Sequence, residues 1–404
     1  MSKAGNPAAV PVLWGKVCAL AGVQGAIALA WVIYNLYLVQ LLTQLGFAEL
    51  WATLLLVVEN LLAMVMEPLM GTLSDRMQHT LGTRLPLISF GMVASAALFF
   101  IIPLTVMGGG PVLRWVMIAV VVTWAIAMTV FRSPALSLLG RYAFQTQLPQ
   151  AASVLTLVGG VAGAMGPLAG NLLLSLGAIA TFGVGAAVLL IAAVVLSWAK
   201  PEAAIATESR PETLESSTPF SLAALPWQRL GLVFGAGVGV TLGFRLLMMN
   251  FPAVLSRQVP DAPSGLIMGT IFVALALTAL PMGQLAVQLG NRRAMIVGLA
   301  GMAFICAAIA TTRSTGLGFA IAIAIGAAFS LVSNGTIPFA LSMVPPSQAA
   351  LGTGIYFSGG ALASSLFGLV AAPIRTLPPS LGAAVGGLAF LLAGVCVAGT
   401  IKRR

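Results

Sequence analysis

The chain has 404 residues, of which 59% are hydrophobic and 7% charged, and its mean hydropathy is +1.06. Soluble globular chains carry about 25% charged residues, so there is too little polar matter here to coat a water-facing surface, and a soluble enzyme is excluded. The net charge of +10, from 19 Lys and Arg against 9 Asp and Glu, has no basic run longer than the terminal Lys402-Arg403-Arg404 and reads as membrane topology, not nucleic-acid binding.

Lipid supplies no partners for backbone amides, so membrane spans are helices or closed barrels. Unbroken apolar runs such as Val116 to Val130 and Leu381 to Val397 exclude the alternating pattern of a barrel. In chain order, polar residues and Pro/Gly punctuation leave twelve predicted transmembrane helices. They fall at about 17–43, 49–74, 85–107, 112–140, 150–176, 178–199, 227–256, 263–289, 293–312, 316–343, 348–374 and 378–401. The first is not a cleavable signal, because its apolar character continues through Trp31 to Leu42 with no small-residue cleavage site after it. Between the sixth and seventh, residues 201–225 hold Glu202, Glu208, Glu212 and Glu215 among Ser, Thr and Pro with no periodic apolar face. This predicts a flexible cytoplasmic linker between an N-terminal six-helix bundle, 1–200, and a C-terminal one, 226–404.

Placing both termini in the cytoplasm puts thirteen Lys and Arg on that side and four on the other, leaving Arg132 and Arg245 at membrane depth. The expectation is a multi-pass protein of a bacterial inner membrane or its equivalent. The halves also echo each other: Pro68-Leu-Met-Gly with Pro281-Met-Gly, Pro134-Ala-Leu-Ser137 with Pro338-Phe-Ala-Leu-Ser342, and Gln150-Ala-Ala with Gln348-Ala-Ala. Three matches in one order argue for a duplicated helical unit, a common plan of secondary transporters.

The most specific segment is Glu67-Pro-Leu-Met-Gly71-Thr-Leu-Ser-Asp75-Arg76, followed by Gly82-Thr-Arg84. It resembles the loop signature between the second and third helices of the major facilitator superfamily. There the resemblance implies that Gly71 permits close helix approach while Asp75, Arg76 and Arg84 fasten the loop as conformational elements. Within that superfamily the chain is similar to the glycoside-pentoside-hexuronide:cation symporters and the sucrose-proton symporters, which place an acid or amide before the Pro, as Glu67 stands here. Gln40-Leu-Leu with Gly46 and Trp51, and Arg132-Ser-Pro134-Ala-Leu, are similar to the sucrose group. Ala63 occupies the place of a second acid in melibiose-type cation sites, so a two-carboxylate sodium site of that kind is not expected. The resemblance implies a sugar or glycoside as substrate and a proton or other cation as coupling ion.

Charges at membrane depth are the chemical signal that needs no resemblance. An ionisable side chain at the bilayer centre costs at least ~2.5–3.5 kcal/mol, so it faces a partner or a watery cavity. Glu67 is the first candidate proton-coupling site and Glu59 the second; eight residues apart, they lie about 12 Å apart along one helix. Glu67 with Arg132 also fits a fixed ion pair locking two helices, and Glu59 also fits an interhelical hydrogen bond. Arg132 and Arg245 are candidates for binding substrate. Tyr34, Asn35, Tyr37, Gln40, Asn250, Asn334 and Tyr356 offer the amides, hydroxyls and flat rings that an uncharged polar ligand needs.

Cys18, Cys306, Cys396 and the single His79 have no metal-ligand spacing, and no cofactor is expected. Gly159-Gly160 and Gly359-Gly360 lack the Lys and Ser/Thr of a phosphate loop and read as helix-packing sites, so no ATP hydrolysis is expected. The combined expectation is a monomeric, proton-coupled secondary transporter of a small polar solute, in contact with the lipid bilayer and with no nucleic-acid partner. The alternatives are an uncoupled facilitator or exporter, or a non-transporting assembly or pigment- and lipid-handling factor on the same fold.

Overall fold

Every predicted span becomes a helix in the computed structural model, which describes residues 12–108, 111–199, 226–375 and 378–400. The linker expected at 201–225 lies outside the described residues, as do Lys402, Arg403 and Arg404. The helices are α1 (Trp14–Gln44), α2 (Leu50–Leu81), α3 (Leu85–Met107), α4 (Pro111–Ser137), α5 (Leu139–Tyr142), α6 (Leu148–Ser175) and α7 (Ala178–Trp198). After the linker come α8 (Trp227–Gln258), α9 (Ser264–Leu289), α10 (Asn291–Ala308), α11 (Thr315–Ser342), α12 (Ala349–Arg375) and α13 (Pro379–Ala398). With α5 a one-turn continuation of α4, the chain is an all-helical membrane protein of twelve spans.

The predicted fourth span, 112–140, breaks where the structure separates α4 from α5. Leu138 N donates to the carbonyl of Ala135 at 3.0 Å, and that of Pro134 accepts instead from Ser137 Oγ at 2.8 Å. Span nine ends earlier than expected, because α10 tightens into a 3-10 turn over Ile309–Thr311. Glycine is required at Gly82, where the chain leaves α2 at φ +71 in the left-handed region.

The face that each helix turns to lipid follows the apolar period. On α2, Leu54, Val58, Leu61, Val65, Leu69 and Leu73 are all exposed at spacings of three and four, whereas Glu59, Glu67, Gly71 and Asp75 are buried on the other side. Such a stripe suits acyl chains, not water.

Two apolar cores divide along the chain. One is built from α1 to α7, joined only by Ile337, Leu341 and Phe357 from beyond the linker; the other comes from α8 to α13. Two seams join them, α2 against α12 and α6 against α9. At the first seam a Cβ on Gly71 would meet the carbonyl oxygen of Ala350 at 2.5 Å, and one on Gly354 would meet that of Glu67 at 2.5 Å. At the second, Gly160 lies against the backbone of Ala276. Small residues allow these backbones to touch. Both ends of the described chain lie at one face of the bundle: Leu13 N donates to Tyr142 O at 2.9 Å, and Arg292 reaches Thr400 O at 2.6 Å. We call it the Asp75 face, since Gln78 and Arg141 meet there at 2.8 Å.

Candidate functional site

Midway along α1, α8, α9, α11 and α12 the helices part around a cavity of about 890 Å³ between the two cores. Trp31 and Asn35 supply the α1 wall; Thr241, Phe244, Arg245 and Met248 supply that of α8. Phe272, Phe329, Ser333, Thr336, Tyr356 and Phe367 complete it from α9, α11 and α12. Phe244 and Phe329 stack face to face with centroids 4.2 Å apart and planes 14° apart, and Phe272 meets Phe244 edge-on at 6.3 Å. The wall is thus mainly aromatic and thioether, with a few hydroxyls and one cation.

That cation is Arg245. Its Nε donates to Ser364 Oγ at 2.9 Å, and its guanidinium lies 5.8 Å from the Phe367 ring. Neither neighbour carries a charge, and no carboxylate among the described residues is within ion-pairing distance. The side chain is exposed into the cavity.

The other deep arginine has a different setting. Arg132 Nη2 lies 2.5 Å from Glu67 Oε1, and Ser133 Oγ donates to Glu67 Oε2. Glu67 is wholly buried, whereas Arg132 is 21% exposed and its guanidinium lies 4.6 Å over the Phe357 ring of α12. Thr353 Oγ1 on α12 donates to the Ser133 carbonyl at 3.2 Å. This cluster therefore bridges α2, α4 and α12 at the seam.

Glu59, two turns away, accepts a hydrogen bond from Tyr34 OH, and its Oε2 is buried without a partner. The Tyr34 ring packs 4.7 Å from Trp124 and 5.8 Å from Trp31, which lines the cavity.

At the Asp75 face, Asp75 accepts from the backbone N–H groups of Ala350 at 3.1 Å and Leu351 at 2.9 Å, capping the start of α12. Arg84 Nη2 holds the same carboxylate at 2.6 Å, and its Nη1 donates to Ser137 Oγ. Burial is the largest influence on Arg84 and lowers its pKa; Asp75 opposes that shift and Arg141 adds to it. One loop thus ties α2, α3, α4 and α12 together across the two cores. Arg76 is exposed beside it.

Of the residues that the sequence nominates for ligand binding, Arg245, Asn35 and Tyr356 line the cavity. The rest are engaged elsewhere. Tyr37 OH donates to Leu173 O at 2.7 Å inside the first core, Asn250 Nδ2 to Leu246 O at 2.7 Å, and Asn334 Nδ2 to Ala279 O at 2.8 Å. Tyr34 is committed to Glu59, Arg132 to Glu67, and Gln40 is exposed on α1 apart from the lining. Phe244, Phe272, Phe329 and Met248 line the cavity with no polar group to mark them in the sequence. A phenylalanine facing a cavity and one facing lipid are identical in sequence. The available signal was the polar spacing of Thr241 with Arg245 and of Ser333 with Thr336, each pair on one helix face.

A family model described as Major Facilitator Superfamily matches residues 20–368. No curated protein matches in sequence. Among solved structures, the crystal structure of the human organic anion transporter MFSD10 (TETRAN) is similar with a TM-score of 0.68 over 96% of this chain and 100% of that one, at 16% identity. At that identity the likeness is one of fold.

Proposed function

Because the chain belongs to the major facilitator superfamily of membrane transporters, we propose that it moves an amphipathic organic anion through the central cavity by alternating access. The observation that carries this reading is Arg245, an arginine without a counter-ion set in a wall of phenylalanine, methionine and tryptophan. A carboxylate or sulfonate would supply the missing charge through a charge-assisted hydrogen bond, and an aromatic body would lie against the Phe244–Phe329 stack. A sugar, favoured by the sequence resemblance, wants several hydrogen-bonding groups around it, and most of those nominated are spent inside the bundles. The organic-anion description of the structurally similar MFSD10 agrees with this choice and does not carry it.

The distribution of Lys and Arg supports a cytoplasmic Asp75 face. On that reading the cavity is shut toward the cytoplasm, where Ile337 and Leu341 of α11 pack on the first core and Asp75 holds the start of α12. Rocking the two bundles would break the Asp75 contacts with α12 and expose Arg245 to the other side. Proton uptake, where it accompanies transport, belongs to Glu59, because Glu67 is held by the ion pair with Arg132 and by Ser133, whereas Glu59 Oε2 has neither a hydrogen-bond partner nor an ion pair among the described residues.

Flux into proteoliposomes tests this. The aryl sulfonate naphthalene-2-sulfonate should enter in a saturable way, and its neutral sulfonamide and a naphthyl ammonium of similar shape should not. Equal entry of all three would overturn the anion assignment, as would preferential uptake of a neutral disaccharide.

A further inference from the structure

We infer that this carrier works as an exchanger, returning across the membrane loaded with a second organic anion and only slowly when empty; this rests on the reading that Arg245 anchors a transported anion. Charge in the cavity wall is the reason. Of the two arginines at membrane depth, Arg132 has Glu67 at 2.5 Å, whereas Arg245 has the hydroxyl of Ser364 and, among the described residues, no carboxylate. The remaining described acids are placed elsewhere. Asp75 is bound by Arg84 and Glu59 by Tyr34, while Glu49 and Asp261 lie in exposed positions at helix ends. The empty cavity therefore holds one uncompensated positive charge.

Alternating access takes the cavity through a closed form before it opens on the other side. While it is open, water solvates the guanidinium. Closing it empty removes that water and leaves an unpaired cation among Phe244, Phe329, Phe367 and Met248, an unfavourable state for which one weak ring contact is poor compensation. Closing it around an anion buries a paired, hydrogen-bonded charge instead. The loaded carrier reorients readily; the empty one stalls. No covalent step and no nucleotide is needed, and exchange of monovalent anions moves no net charge.

The test uses the full-length protein in proteoliposomes loaded with radiolabelled naphthalene-2-sulfonate, which stays ionised and does not leak as a neutral acid. The outside bulk anion is polyaspartate, too large for the cavity. Adding unlabelled naphthalene-2-sulfonate outside should accelerate efflux at least tenfold. Ser364→Asp places a carboxylate beside the guanidinium, so the wall supplies its own counter-charge and the acceleration should fall below twofold; the thermal unfolding of the variant checks that it is folded. Equal efflux with and without external anion overturns exchange and leaves the transport reading standing. Efflux driven by a proton gradient alone, at the exchange rate, also overturns it. No efflux under any condition from vesicles holding folded protein overturns the transport reading itself.

Discussion

Arg132 and Arg245 are the same residue type inside apolar spans of the two bundles, and the structure gives them opposite circumstances. Arg132 is paired, capped by Ser133 on its partner and covered by Phe357 from across the seam. Arg245 is held by one hydroxyl and opens on a cavity. The comparison teaches that an intramembrane charge acquires its role from what neutralises it: one supplied by the protein holds helices together, and one left unsupplied waits for a ligand. The proposed function accordingly gives the fastening to the N-terminal bundle and most of the recognition to the C-terminal one.

The largest effect should come from breaking the fastened pair. Glu67→Ala leaves Arg132 without its partner at a buried seam and should destabilise by about 3 kcal/mol, the low end for a broken buried pair because Arg132 retains some exposure. Glu67→Ala with Arg132→Met should recover much of that loss in a thermal melt. If the single and double variants melt alike, the pair is not what joins α2 to α4.

A smaller effect is expected at the Asp75 face. Asp75→Asn keeps the shape but weakens two charge-assisted bonds to the start of α12 and the ion pair with Arg84, a change of about 2 kcal/mol. Spin labels on the α2–α3 and α11–α12 loops should then report a longer distance, with the population shifted toward a form open at that face. An unchanged distance would mean that Asp75 orders its loop without holding the bundles together.

Glu59→Gln should be the mildest, at about 1 kcal/mol of stability, since Tyr34 can still donate to the amide oxygen. Its signature is kinetic: any dependence of flux on pH between 5 and 8 (roughly) should flatten, whereas Ser133→Ala beside Glu67 should leave the profile alone. A profile that survives Glu59→Gln removes Glu59 as the proton site.

Much of the fold was legible in the sequence because lipid imposes one rule on every span. Apolar length marks the helices, and the polar loop at Gly82 to Arg84 marks a boundary that the left-handed Gly82 makes sharp. The break between α4 and α5 was not, since it depends on how backbone groups are re-satisfied there: Leu138 N turns to the Ala135 carbonyl and Ser137 Oγ takes up that of Pro134. The site was less legible. Glu59, Arg132 and Arg245 stand out as charges in apolar runs, but whether each meets a partner depends on helices far away in the chain, as with Phe357 over Arg132. Asn334 shows the opposite failure: it has the chemistry of a ligand group, yet its amide ties α11 to the Ala279 carbonyl of α9. Nothing local to Asp75 announces that its carboxylate caps α12, which begins some 275 residues later.

The most direct test of the central claim, that Arg245 is an unmatched charge awaiting an anion, is a calorimetric titration of the purified protein with naphthalene-2-sulfonate and with its neutral sulfonamide. The account predicts that the native protein prefers the sulfonate by at least tenfold, or about 1.4 kcal/mol. It further predicts that Arg245→Gln erases the preference while shifting the melting temperature little. A sulfonate preference that persists in folded Arg245→Gln, or moves to Arg132→Gln, would contradict it.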